Sequence, residues 1–74
     1  NMNTVSKEFW DDQQWGFKHH ANLLQRFKDK WIAISNKKVV CSGNNLSEVT
    51  EEAKKITGKK ETPVMFVECG AHLY

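Results

Sequence analysis

No apolar run in this sequence approaches the roughly 18 residues that a membrane-spanning helix needs, so no membrane partner is expected. Its beginning, Met2 to Asp12, is polar and acidic where a secretory leader is basic and then apolar. Asn1 precedes Met2, so the natural chain is expected to start at Met2, with residues 1–5 a disordered or expression-derived start and 6–74 one domain. The two cysteines, Cys41 and Cys69, are too few for a disulfide scaffold and point to free thiols in a reducing, cytoplasmic setting. Charge of one sign is also scarce. Eleven basic against nine acidic residues leave a formal charge of +2, which lacks the overall footprint of a nucleic-acid or anionic-membrane binder. With 74 residues the chain buries a small core, and domains of this size often rely on a disulfide, a metal or a partner subunit.

What is present is an ordered series of helix and strand signals. Ser6 is a plausible N-cap, with Glu8 in the first turn where the helix dipole favours an anion. Phe9, Trp10 and Trp15 load this start with aromatic rings. Gly16 costs roughly 1 kcal/mol relative to alanine inside a helix, so the N-terminal helix is expected to kink or split there. Beyond it Phe17, His20, Leu24 and Phe27 recur at helical spacing. Trp31 to Ser35 and Lys38 to Ser42 are rich in strand formers and are joined by Asn36-Lys37, which requires an antiparallel hairpin. Asn45 and Glu48 form a capping-box pattern, and Leu46, Val49, Ala53 and Ile56 share one face. Glu51 and Lys55 stand four apart, and Gly58 stops the helix, which gives a helix over 45–57. Pro63 then precedes a strand from Val64 to Cys69.

A hairpin, a crossover helix and a third strand predict an α+β domain in which an N-terminal helix precedes a ββαβ unit. A right-handed crossover gives a three-stranded sheet in the order 2-1-3, with the third strand antiparallel to the first. Trp31 and Ala33 point one way and Ile32 and Ile34 the other, so the central strand is apolar on both faces. The helix over 45–57 covers one face. The other needs the N-terminal helix, a second copy of the chain or another protein.

The string Lys30-Trp31-Ile32-Ala33-Ile34, a short turn, Val39-Val40, Ser42-Gly43 and the Asn45-capped helix, continued by Pro63-Val64 and Phe66-Val67, resembles a family of small prokaryotic domains of unknown function. The resemblance covers roughly residues 30–68. It implies a prokaryotic intracellular origin and the ββαβ fold, and it supplies no activity and no functional residues.

Several constellations bear on function. Cys69 and His72 form a Cys-x-x-His ending, which with Cys41, His19 and His20 lacks the paired spacing of a structural zinc site, so no metal and no cofactor is expected. A thiol nucleophile would need an activating base and an orienting group, and nothing in the spacing assembles them. Lys54, Lys55, Lys59 and Lys60 make a basic patch suited to phosphate or to an acidic partner, and a solvated helix end explains it more simply. Phe9, Trp10, Trp15 and Phe17 are the candidate interface, because such rings bury much area at small entropic cost. The leading expectation is a non-enzymatic interaction module that forms a homo-oligomer, a dimer above all, or engages another protein. A nucleic-acid-binding accessory domain is the alternative, and a metal or thiol site at Cys69 and His72 is the remote third.

Overall fold

The computed structural model describes residues 7–68. Two N-terminal helices, α1 (Lys7–Lys18) and α2 (His20–Phe27), lead into strand β1 (Lys30–Ile34) and strand β2 (Val39–Gly43). Helix α3 (Leu46–Thr57) and strand β3 (Val64–Val67) complete the chain. The sheet order is β2-β1-β3, with β1 central and antiparallel to both neighbours, as the crossover rule requires. Ser6 and Cys69, the expected ends of the first helix and the last strand, lie outside the described residues.

Both faces of the sheet are covered by the chain itself. Ile32, Ile34 and Val67 turn toward Leu23 of α2, with Trp15, Leu24, Phe27, Val39 and Met65 packed around them. On the opposite face Ala33 meets Val49 and Ala53 of α3, with Trp31, Val40, Cys41 and Val64 alongside. The strand alternation read from the sequence is therefore a three-layer arrangement, helix–sheet–helix. Of the three possible covers for the second face, the N-terminal helices are the one found.

The capping of α3 follows its residues. Asn45 Oδ1 accepts from the Glu48 N–H at 3.0 Å, and Gly58 takes the left-handed conformation at φ 72° while its N–H donates to Lys54 O at 2.8 Å. The N-terminal helical region breaks, but not at Gly16. α1 runs through Gly16 without interruption and ends at Lys18, and the break falls at His19, whose φ and ψ are −104° and 21°. The reason is local. Trp15 O accepts from both the His19 backbone N–H, at 3.0 Å, and the His19 ring, at 2.9 Å. A carbonyl only accepts, so His19 Nδ1 carries a proton in this arrangement. The two rings also stack, with centroids 4.8 Å apart.

Gly16 serves packing instead. A Cβ at this position would lie 2.6 Å from Ile34 Cδ1 and 3.0 Å from Met65 Sδ, so glycine lets the α1 backbone sit directly on the sheet.

The hairpin turn is tighter than Asn-Lys suggests. Asn36 and Lys37 both have positive φ, 55° and 59°, the requirement of a type I′ turn, and Ser35 and Lys38 exchange backbone bonds of 2.9 and 3.2 Å. Asparagine tolerates this region and lysine does not, at a cost of about 1 kcal/mol. Lys37→Gly is therefore expected to stabilise the domain by about 0.5–1 kcal/mol, raising the melting temperature by several degrees in a thermal scan. An unchanged or lowered midpoint would show that the lysine side chain compensates for its backbone.

Candidate functional site

α1 divides the four candidate interface residues into two groups. With about 100° between successive residues, Asp12 and Gly16 define the sheet-facing side, and both are buried. Trp15 flanks that side and packs on the core cluster, so it is a covering residue. Phe9 is half-buried. Trp10 and Phe17, seven residues apart and hence nearly superposed down the helix, are 52% and 55% exposed. Phe9 and Trp10 meet edge to face, with ring centroids 5.8 Å apart.

This aromatic flank continues to the edge of the sheet. A depression of about 490 Å³ is lined by Phe9 from α1, Thr50 and Lys54 from α3, and Lys60, Glu61, Thr62 and Val64 from the chain entering β3. It thus lies at the entry to β3, between α1 and α3. Further along the strand Phe66 is 37% exposed and tilts against Trp31 at 5.2 Å. β3 has no neighbour on this side among the described residues.

The basic patch does not act as one cluster. Lys59 Nζ donates to Ser35 Oγ at 2.9 Å and lies 3.5 Å from Glu8, which draws it toward the hairpin and α1. Ser35 is 2% exposed, so this contact satisfies a buried hydroxyl. Lys54 stands 3.9 Å from Glu51 on the exposed side of α3, an arrangement worth a few tenths of a kcal/mol at most. Lys55 and Lys60 are exposed.

Cys41 is half-buried, and its Sγ–H donates to Val49 O at 3.5 Å. Burial, and then the Glu52 carboxylate, push its thiol above the ordinary range, which is the opposite of what activates a nucleophile. Cys69 and His72 lie outside the described residues. Among the described residues no three His, Cys, Asp or Glu side chains gather as a metal site, and no helix is long and apolar enough to cross a membrane.

Asp12 is the residue that sequence reasoning missed. It is 2% exposed, and its two carboxylate oxygens accept from the Asn36 N–H at 3.1 Å and the Lys37 N–H at 3.0 Å. α1 is thereby tied to the hairpin through its two left-handed turn residues. The available signal was its position: Asp12 and Gly16 stand four apart on the side that Phe9 begins.

Residues 22–67 match the model of a family of unknown function, DUF5678. The chain belongs to this family. The DUF5678 match takes in most of α2, the hairpin, α3 and β3, and so extends the resemblance seen in the sequence by eight residues toward the N-terminus. α1, with Asp12, Gly16 and the aromatic flank, lies before the matched residues. No curated protein and no solved structure matches the chain.

Proposed function

We propose that this member of the DUF5678 family is a non-enzymatic interaction module of the cytoplasm, and that α1 carries its contact surface. One observation supports the reading above the others: Trp10 and Phe17 share a flank of α1 and are each more than half exposed, although the sheet beneath is already covered. The exposed parts of these rings amount to on the order of 200 Å² of apolar surface, or ~5 kcal/mol of burial left unrealised in a lone chain. Neither ring is needed to fill the core, since Trp15, Leu24 and Phe27 do that. Aromatic anchors held on a rigid helix at low entropic cost are the usual centre of a protein contact.

The basic end of α3 fits a nucleic-acid surface less well, because Lys59 is turned inward to Ser35 and Glu8 and Lys54 faces Glu51. The test is the double variant Trp10→Ser/Phe17→Ser. Assembly is measured by light scattering for copies of the chain and by capture on the immobilised chain for other proteins. The wild type is expected to assemble and the variant to lose assembly while keeping the wild-type circular dichroism spectrum and a cooperative melt, at a midpoint lowered only by what assembly contributes. Assembly indifferent to the two substitutions, or none in the wild type by either measurement, would sink the reading.

A further inference from the structure

The outer edge of β3 has no strand beside it among the described residues. Its ladder with β1 pairs Lys30 with Val67, Trp31 with Phe66, Ile32 with Met65 and Ala33 with Val64. Pro63 O accepts from the Ile34 N–H at 2.9 Å, and Val67 O accepts from the Asp29 N–H at 2.6 Å, so both of these carbonyls point at β1 and its flank. Backbone direction alternates along an antiparallel strand. Met65 therefore also faces β1, while Val64 and Phe66 direct their N–H and C=O groups outward. Natural edges are blunted by charges, proline or bulges. The other edge strand, β2, has such a device in the register irregularity opposite Ala33 and Ile34, and Lys38 precedes it. β3, Val-Met-Phe-Val, contains none of them within its four residues, and Pro63 and Glu68 flank it at its two ends.

We infer that the occupant of this edge is β3 of a second copy, paired antiparallel about a two-fold axis at Met65 to make a continuous six-stranded sheet. The hydrogen-bonding directions select this register. With Met65 opposite the partner's Met65, Val64 lies opposite the partner's Phe66, and each outward N–H meets an outward C=O. Four bonds form, and both outward residues of each strand are used. The same register sets Thr62 opposite the partner's Glu68, a hydroxyl against a carboxylate, and keeps the two Glu68 side chains apart. Four residues a side bury far less than the ~1,200 Å² of a stable interface. The rest comes from the aromatic flank, since Phe9 borders the edge groove and Trp10 packs on Phe9. The inference thus rests on the proposed contact role of α1, and names its partner.

Cysteine cross-linking reads the register directly. In a Cys41→Ser/Cys69→Ser background, Met65→Cys would face its own copy across a non-hydrogen-bonded pair, about 4.5–5.5 Å between Cα atoms, within disulfide range. Val64→Cys and Phe66→Cys would be displaced from their own copies by two residues, beyond about 7 Å. Mild oxidation is expected to give a covalent dimer from Met65→Cys and at least tenfold less from the other two. Phe66→Pro removes an outward N–H and leaves the β1 ladder intact, so it is expected to halve the mass found by light scattering. A monomeric wild type with no Met65→Cys dimer, as when the chain's own residues 69–74 occupy the edge, overturns the inference. So does cross-linking favoured at position 64 or 66. A dimer that survives Phe66→Pro yet is lost in Trp10→Ser/Phe17→Ser overturns the strand pairing alone and leaves the role of α1 standing.

Discussion

Gly16→Leu is expected to destabilise the domain by about 3 kcal/mol. The first added atom already lies 2.6 Å from Ile34 Cδ1 and 3.0 Å from Met65 Sδ. Ile34 is fully buried, so the ends of Ile34 and Met65 can turn aside for one methyl but not for a whole leucine side chain. Three further carbons force α1 away from the sheet, which uncovers Trp15 and stretches the Asp12 bonds one turn earlier on the same side of the helix. The roughly 1 kcal/mol gained in helix propensity over glycine does not offset this. In a domain of this size the melting temperature should fall by about 12–24 °C. Gly16→Ala separates the two effects. Its single methyl meets only the ends of flexible side chains, and its propensity gain nearly cancels the repacking, leaving a net change within about 1 kcal/mol. Urea denaturation of the pair decides the matter. A leucine variant with the wild-type midpoint would show that α1 does not rest on the sheet through Gly16.

Asp12→Ala is expected to cost about 2–3 kcal/mol and to loosen one end of the molecule in particular. The carboxylate accepts two charge-assisted bonds from the Asn36 and Lys37 N–H groups. Bonds of this kind are worth about 1.5–3 kcal/mol each in dry surroundings, and competition from water at the exposed turn reduces the sum. Alanine leaves both donors without this acceptor and removes the link between α1 and the hairpin. It also withdraws the contact that helps hold Lys37 in a left-handed conformation. Asp12→Asn keeps one carbonyl oxygen and the same shape, so it should lose about half as much. Amide hydrogen exchange gives the local reading: Asn36 and Lys37 should lose protection in Asp12→Ala while the α3 amides from Val49 onward retain it. Uniform loss throughout the chain would instead show that Asp12 acts on global stability only.

These two residues mark where sequence reading stops. Gly16 looks like a helix breaker because local propensity is all that a sequence displays. In the fold the cost of glycine is outweighed by the close approach it permits, and the break falls at His19, whose ring and backbone N–H share Trp15 O. Asp12 looks like one more charge on a polar helix. Its burial depends on a hairpin turn 24 residues away, a proximity that no local pattern encodes.

The sequence by itself determined the elements and their order. The 3.6-residue period and the Asn45 and Gly58 caps define α3, the two-sided apolar character of Trp31 to Ile34 makes β1 central, and the crossover rule yields β2-β1-β3. These are consequences of local stereochemistry and of alternation along a strand, which the chain carries wherever it goes. Only the tertiary structure decided what covers the second face, which aromatic rings are spent on the core and which remain outside. Trp10, Trp15 and Phe17 are alike in sequence, and the tilt and depth of α1, fixed by Gly16 and Asp12, separate the covering ring from the exposed pair. The outward groups of β3 were likewise settled by its pairing with β1, because the direction of a backbone N–H is defined only once a neighbour is in place.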